Sequence, residues 1–200
     1  FDLKRMLPTL EKTQNEFPDT QIIIKQEYMS GAFEALKNKQ VEIAISPGHN
    51  QLLESENIEA TKLYQGSLIA VAAPKLLSRH PSLQSIDELR NEYQIVVQDS
   101  GEGTKGKEMG VQPGQRRWYV TDLNTKKTLL LSGMGWGNLP DNLIATELEN
   151  GLLKPISIPG YQSKILVDYY AIKLKTKVLG PVASKLWKNL STCEAVEGSA

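Results

Sequence analysis

The twenty residues Thr121–Pro140, with the sequence TDLNTKKTLLLSGMGWGNLP, decide the fold of this chain. Thr121 or Asp122 can cap a helix, because a short side-chain oxygen accepts a hydrogen bond from the backbone of the first turn. The leucines that follow recur at helical spacing as far as Leu131. Gly133 then ends the helix, since glycine readily adopts the left-handed conformation that is common just past a helix.

A short apolar strand and a second helix follow without a long loop. The strand, Met134–Leu139, leads through Pro140 into the helix Asp141–Asn150, which Gly151 ends. Leu152–Ile156 is the next predicted strand. This alternation of short strands with helices predicts an α/β fold with a partly parallel sheet.

Three glycines leave the predicted strand with little side-chain volume. Gly133, Gly135 and Gly137 allow another backbone or a ligand to approach closely. Unpaired backbone N–H groups at the start of the following helix would lie beside that opening. The pattern leaves two interpretations open, a ligand site or tight internal packing.

The composition excludes several classes of protein. Lys plus Arg and Asp plus Glu both number 23 among 200 residues, so no basic field favours nucleic acid or an anionic membrane. Hydrophobic residues make up 40%, which is enough for a sizeable core. The single cysteine, Cys193, excludes an intramolecular disulfide and a multi-cysteine metal site. No stretch has the length and apolarity of a membrane span.

The rest of the chain also alternates between predicted helices and strands. The predicted helices are Phe1–Glu16, a helix capped by Ser30, Ile86–Asn91 behind a capping box at Ser85, and Leu179–Leu190. The predicted strands are Gln21–Lys25, Val41–Ser46, Gly66–Pro74, Tyr93–Val97, Arg116–Val120 and Ile165–Ile172. Two basic pairs, Arg116–Arg117 and Lys126–Lys127, are interpreted as solvated surface.

The loop after Val97 contains two partial phosphate-binding motifs that we reject. From Gly101 it matches the dinucleotide pattern G-x-G-x-x-G and approaches the P-loop pattern, with Glu108 where a P-loop needs Ser or Thr. Both motifs require a long helix next, which the stretch Lys107–Gly114 cannot form. The sequence therefore argues against nucleotide hydrolysis, but it leaves open an anion pocket lined by backbone N–H groups.

No metal or catalytic constellation stands out. His49 and His80 lie far apart, and neither has a cysteine or a second histidine at ligand spacing, so we expect no metal site. The chain has no G-x-S-x-G nucleophile elbow and no convincing acid–base pair, so we expect that it is not an enzyme. We also expect no cofactor.

Several segments resemble the effector-binding domain of LysR-type transcriptional regulators. The sequence GMGWGNLP at 133–140, followed by ENGLLKPI at 149–156, resembles the family's G-x-G-x-x-x-L-P segment with its helix and strand. Leu7-Pro8, Phe17-Pro18 and Val41–Ile45 extend the resemblance, although the family more often has Asp in place of Glu42. The family domain normally begins one strand earlier, so the resemblance implies that this chain is a fragment.

The resemblance implies a type II periplasmic-binding-protein-like α/β fold. Two α/β subdomains would be joined by two crossing strands. The first would comprise residues 1–70 and 167–200, and the second, residues 71–166, would be inserted in it. The family's N-terminal helix-turn-helix DNA-binding domain is not in this chain.

The resemblance also implies a ligand site in the cleft between the subdomains. The residues that it assigns to this site, together with two added from their local chemistry, are Asp2, Ser46, Pro47, Asp99, Ser100, Gly101, Thr104 and Trp136. Trp136 is included because a bulky ring among glycines could wall a cleft, although tryptophan more often belongs to a core. The alternative role of Ser100 and Thr104 is to satisfy turn hydrogen bonds.

The function implied is effector sensing by the regulatory domain of a cytoplasmic LysR-type DNA-binding transcriptional regulator. A small molecule would bind in the cleft, DNA would be bound only through the absent domain, and no membrane would be involved. Homodimers or higher homo-oligomers would form through the helices Leu3–Glu16 and Leu123–Leu131. The alternative is a solute-binding protein of a transport system with the same fold.

Overall fold

The structure is a computed structural model that describes residues 1–48, 55–105 and 110–192. The chain divides into two compact units, one formed by Phe1–Gln65 with Val167–Ala200 and the other by Gly66–Leu166. The second unit is therefore inserted in the first along the chain. The sequence predicted the first boundary after Ala70, whereas the units divide after Gln65.

Helices and strands alternate along the described residues. The α-helices are α1 (Leu7–Glu16), α2 (Gly31–Lys37), α3 (Pro74–Leu77), α4 (Leu123–Leu131), α5 (Asp141–Glu149) and α6 (Pro181–Thr192). The strands are β1 (Ala44–Pro47), β2 (Ile58–Ala72), β3 (Tyr93–Val97), β4 (Arg116–Val120), β5 (Trp136–Pro140), β6 (Lys154–Pro155) and β7 (Lys164–Leu174). Leu3–Met6 and Ile86–Asn91 form 3-10 helices. No helix among these residues is long and apolar enough to span a membrane.

The second unit is built around β3. β4 and β5 flank β3 and run parallel to it, and the Leu68–Ala72 part of β2 pairs with β5 in the antiparallel direction. Trp136 and Leu89 belong to one apolar cluster of this unit. Ile95 and Leu130 belong to another, which packs α4 against the strands. The carboxyl ends of β3, β4 and β5 thus point in the same direction.

The first unit is formed from both ends of the chain. β1 pairs with β7 in the antiparallel direction, with Pro47 opposite Tyr169. Met6 and Leu190 lie in one apolar cluster of this unit, so residues from the beginning and the end of the chain pack together.

The predicted beginning and end of α4 are confirmed. The carboxylate of Asp122 accepts a hydrogen bond from the backbone N–H of Thr125 at 2.8 Å and caps the helix. Gly133 follows the helix with a φ of +71°, the conformation for which glycine was expected. The capping box at Ser85 is also confirmed, although the helix that it opens is of the 3-10 type.

The predicted strand Gln21–Lys25 is wrong. These residues are neither helix nor strand, and Ile23 and Ile24 are exposed. They line a mostly apolar groove of about 520 Å³ in the first unit, together with Ala44 of β1. A strand needs a neighbour for its ladder hydrogen bonds, and among the described strands β1 pairs only with β7.

β3 and the segment that carries β5 lie so close together that only glycine fits at two positions. A Cβ atom at Gly135 would lie 2.4 Å from the carbonyl oxygen of Tyr93, and one at Gly137 would lie 2.7 Å from that of Ile95. Both distances are far inside van der Waals contact, so neither position has room for a side chain. Of the two interpretations left open by the sequence, internal packing holds at both positions, and the partner is the backbone of β3.

Replacing Gly135 with alanine should therefore destabilise the second unit strongly. The added methyl group would force β5 away from β3, and we expect a loss of about 3 kcal/mol in the free energy of unfolding. Chemical denaturation of both proteins measures this difference. Gly180→Ala is the matched control, because a Cβ at Gly180 meets no atom within 4 Å. Equal losses in the two variants would contradict the proposed crowding.

Candidate functional site

A polar loop follows β3 in the second unit, and Asp99 organises it. The carboxylate of Asp99 accepts hydrogen bonds from the backbone N–H groups of Gly101 at 2.9 Å and Thr104 at 3.2 Å. It also accepts one from the hydroxyl of Thr104. The backbone N–H of Gln98 donates to the carbonyl of Val120 at 2.8 Å, which ties the start of the loop to β4. The loop is therefore held in a defined shape.

Four predicted site residues lie together in this loop and play different parts. Asp99 and Thr104 are partly buried and shape the turn, which is the alternative role stated for Thr104. Ser100 is exposed, and Gly101 beside it carries no side chain. The loop continues from the carboxyl end of a parallel strand, where α/β sheets usually bind ligands. Gly106, Lys107 and Glu108 of the rejected motifs lie outside the described residues, as do His49 and Cys193.

The first unit holds three other predicted residues, and two tyrosines connect them. The backbone N–H of Asp2 donates to the hydroxyl of Tyr64 at 2.6 Å. The rings of Tyr64 and Tyr169 are stacked with centroids 4.9 Å apart. Tyr169 in turn lies opposite Pro47 in the ladder of β1 and β7. Asp2 and the end of β1 are thus linked through this aromatic pair.

The side chains of Asp2 and Ser46 already have partners within the first unit. Ser46 is buried, and its hydroxyl donates to the carbonyl of Pro47 at 3.2 Å. The carboxylate of Asp2 accepts a hydrogen bond from the backbone N–H of Lys4 at 3.0 Å and lies 3.6 Å from the guanidinium of Arg5. Asp2 thereby caps the 3-10 helix Leu3–Met6.

The sequence interpretation missed Tyr64. Burial raises the pKa of its phenol to about 12, and its hydroxyl accepts the hydrogen bond from the backbone N–H of Asp2. Tyr64 lies in β2, which extends back to Ile58, before the predicted Gly66. A sequence prediction that began this strand at Ile58 would have included Tyr64.

Trp136 lies in the core of the second unit. Its ring is fully buried in the cluster that contains Leu76 and Leu89. Within the described residues its indole nitrogen has no hydrogen-bond partner. The ring therefore occupies the core position that the sequence also considered, and its part in ligand binding stays a prediction.

The interpretation of Lys126 as solvated surface is wrong. Its side chain is 6% exposed and lies on the face of α4 that carries Leu130. A Cβ at Gly137 would lie 3.0 Å from its Cε and 3.2 Å from its Nζ, so the missing side chain of Gly137 makes room for the amine. Its position three residues after Leu123 and four before Leu130 was the signal available in the sequence. The neighbouring Lys127 is instead paired with Glu147 at 2.5 Å.

Burial lowers the pKa of the Lys126 amine from 10.5 to about 8, because the surroundings disfavour the charged form. Between these two pH values the unfolded chain binds more protons than the folded chain. Stability contributed by this group therefore rises with pH across that window, and the burial penalty applies fully below it. The corresponding free energy is roughly 3 kcal/mol.

Replacing Lys126 with methionine should raise the free energy of unfolding at about pH 7 by roughly 2 kcal/mol, since an ammonium group no longer has to be buried without a partner among the described residues. Denaturation at neutral pH and again near pH 10 should show the advantage shrinking as the wild-type amine loses its proton. Lys127→Met is the control and should bring no gain, because Lys127 has a partner. A Lys126→Met variant less stable than the wild type at neutral pH would contradict the argument.

Relatives of this chain are transcriptional regulators. YhaJ of Escherichia coli strain K12, described as a probable HTH-type transcriptional regulator, is 29% identical over 144 residues, which are 70% of this chain and 47% of YhaJ. The HTH-type transcriptional activator AllS of Klebsiella pneumoniae is 25% identical over 158 residues, or 76% of this chain and 57% of AllS. The chain thus spans about half the length of these curated relatives.

Solved structures share the fold. The regulatory domain of AphB from Vibrio vulnificus has a TM-score of 0.66 at 19% identity, covering 94% of this chain and 91% of that one. CrgA of Neisseria meningitidis, a LysR-type transcriptional regulator, has a TM-score of 0.65 at 18% identity, covering 94% and 63%. The predicted type II periplasmic-binding-protein-like fold class is confirmed. The family model described as the LysR substrate binding domain matches residues 1–192, and this chain belongs to that family.

Proposed function

We propose that this chain is the effector-binding domain of a LysR-type DNA-binding transcriptional regulator. The observation that carries the proposal, beside family membership, is the loop after β3. It presents the exposed side chain of Ser100, while Asp99 holds the turn from within. A small molecule binds at this loop.

The fixed conformation of the loop reduces the conformational entropy that is lost when a ligand binds. Because Asp99 and Thr104 already fix the turn, little conformational freedom is lost when a ligand binds. The effector then acts by preferring one conformation of the domain, and it shifts the equilibrium only by its difference in affinity between the two states. No chemical step is required, so the domain is not an enzyme.

The wider setting follows from the family. The relatives that match are named as transcriptional regulators, which favours regulation over solute transport. A separate helix-turn-helix domain of the whole protein binds DNA, in the cytoplasm. The equal numbers of acidic and basic residues, 23 each, support the view that this domain contributes little to DNA binding.

A thermal-shift screen of small metabolites, anions and aromatic acids tests the ligand site. A compound present at a hundred times its dissociation constant should stabilise the domain by about 2.7 kcal/mol, a shift of several degrees in Tm. We expect Ser100→Ala to raise the dissociation constant roughly fivefold and so to reduce the shift in Tm, because one hydrogen bond to the ligand, worth about 1 kcal/mol, is lost.

Ser132→Ala is the matched control for this screen. Ser132 is also exposed, but it lies at the end of α4 and not in the loop after β3; its hydroxyl donates to the carbonyl of Thr128. The control should therefore respond as the wild type does. A compound whose stabilising effect is the same in the wild type and in Ser100→Ala would contradict a site at this loop.

The proposal includes a homodimer. By family resemblance, the N-terminal helical segment of one copy meets α4 of another copy. Two leucines of that segment support a covered surface, since Leu3 is 42% exposed and Leu7 is 52% exposed in this chain. Exposed leucines on one side of a segment are typical of a surface that packs against a partner.

Leu7→Glu should shift the domain towards monomers, because a carboxylate buried in an apolar contact is unfavourable. Sedimentation velocity at micromolar concentration measures the change. Val178→Glu is the control, since Val178 is 94% exposed and belongs to neither helix. A wild-type domain that sediments as a monomer would contradict the dimer.

A further inference from the structure

Three aspartates follow the three parallel strands of the second unit, at the edge where those strands end. Asp99 comes two residues after β3, Asp122 two residues after β4, and Asp141 directly after β5. Because neighbouring strands lie about 4.8 Å apart, the three strand ends span only about 10 Å. The loop that binds the effector in the proposed function leaves this same edge. The three carboxylates therefore bear on the charge of its ligand.

The carboxylate of Asp99 already occupies backbone donors of the loop after β3. It accepts hydrogen bonds from the N–H groups of Gly101 at 2.9 Å and Thr104 at 3.2 Å, and from the hydroxyl of Thr104. An anion pocket lined by backbone N–H groups needs donors of this kind. At these two positions, the anion pocket that the sequence left open is filled by a side chain of the loop itself.

The first turns of α4 and α5 also hold carboxylates of the chain. Asp122 accepts hydrogen bonds from the hydroxyl of Thr125 at 2.6 Å and from its backbone N–H at 2.8 Å, and both lower the pKa of the Asp122 carboxyl. Asp141 accepts hydrogen bonds from the hydroxyl of Ser67 at 2.6 Å and from the backbone N–H of Asn142 at 2.7 Å. The start of a helix otherwise favours a phosphate or carboxylate ligand. Here each start already has its anion.

The donors that hold these three aspartates are hydroxyl and backbone N–H groups, which carry no charge. The contacts therefore leave the negative charges uncancelled. The residues that follow the three strands, 98–104, 121–125 and 141–145, contain no lysine or arginine. Glu102, a further carboxylate of the loop, is paired with Lys105 at 2.8 Å. Charges of one sign grouped at an edge raise the local concentration of ions of the opposite sign and lower that of like ions.

We propose that the effector carries no carboxylate, phosphate or sulfate group, and that it is an uncharged or cationic molecule with hydrogen-bond donors of its own. This inference rests on the proposed function, because it assigns the ligand class of that site. An anion would meet three like charges at this edge and would find nearby backbone donors engaged. An amine, amide or hydroxyl of a ligand instead finds carboxylate oxygens, which can accept more than one hydrogen bond each.

Three probes with a three-carbon body test the charge of the ligand. They are propylamine, which is protonated at neutral pH, propanamide and propionate. Each is titrated at low salt into the isotope-labelled 200-residue chain, and the NMR signals of the Gly101 and Thr104 amides report binding at the loop. We expect propylamine or propanamide to bind at least about fivefold more tightly than propionate. Added salt should reduce the preference for propylamine over propionate, because it screens the charges.

Two results would overturn the proposed ligand class. One is propionate binding at the loop as tightly as the other two probes do, which would leave a ligand site at the loop but reverse its charge preference. The other is a loop whose amide signals respond to none of the probes, since an edge of free carboxylate oxygens should recognise a donor. The thermal-shift screen decides separately whether the domain binds an effector at this loop.

Replacing Asp122 and Asp141 together with asparagine tests the origin of the preference. Asparagine keeps the size of the side chain and a capping oxygen, so both helices should still form. The double variant should bind propionate more tightly and propylamine more weakly than the wild type does. The matched control combines Asp19→Asn with Asp87→Asn, because both residues are exposed and neither follows a parallel strand. The control should keep the wild-type preference, and an unchanged preference in the Asp122→Asn, Asp141→Asn variant would overturn the proposal.

Discussion

The close approach of β5 to β3 is the constraint on which the second unit depends. The carbonyl oxygens of Tyr93 and Ile95 occupy the space where side chains at Gly135 and Gly137 would lie. This fixes the strand before α5 and gives the fully buried Trp136 its place in the core. The same bare backbone leaves the space that the amine of Lys126 fills. The close packing of β5 on β3 thus determines both the position of Trp136 in the core and the burial of the Lys126 amine.

Much of this fold could be predicted because local chemistry and the final structure agree. Asp122 caps α4, Gly133 ends it, and Ser85 opens the helix before β3, each through hydrogen bonds or dihedral angles that depend on nearby residues alone. Lys126 shows the limit of such inference. Two adjacent lysines look alike in a sequence, yet a helix turns one towards the strands and the other towards Glu147.

Other features depend on contacts distant in sequence and could not be foreseen. Ile22 to Ile24 have the β-branched character of a strand, but a strand exists only beside another, and the open edge of β1 is not visible in the residues themselves. At the candidate site, the order of residues located the loop after β3. It could not reveal that Asp99 turns its carboxylate inward, or that Tyr64 joins Asp2 to the strand β7.

The insertion of one unit within the other has a consequence for synthesis on the ribosome. Residues 66–166 are contiguous, so the second unit has all of its strands and its core as soon as they emerge. The first unit needs β7 and α6, whose residues pair with β1 and pack near Met6. Its N-terminal half must therefore wait, with apolar surface uncovered, until the residues of β7 and α6 leave the exit tunnel. During this time, chaperones should be needed mainly by that half.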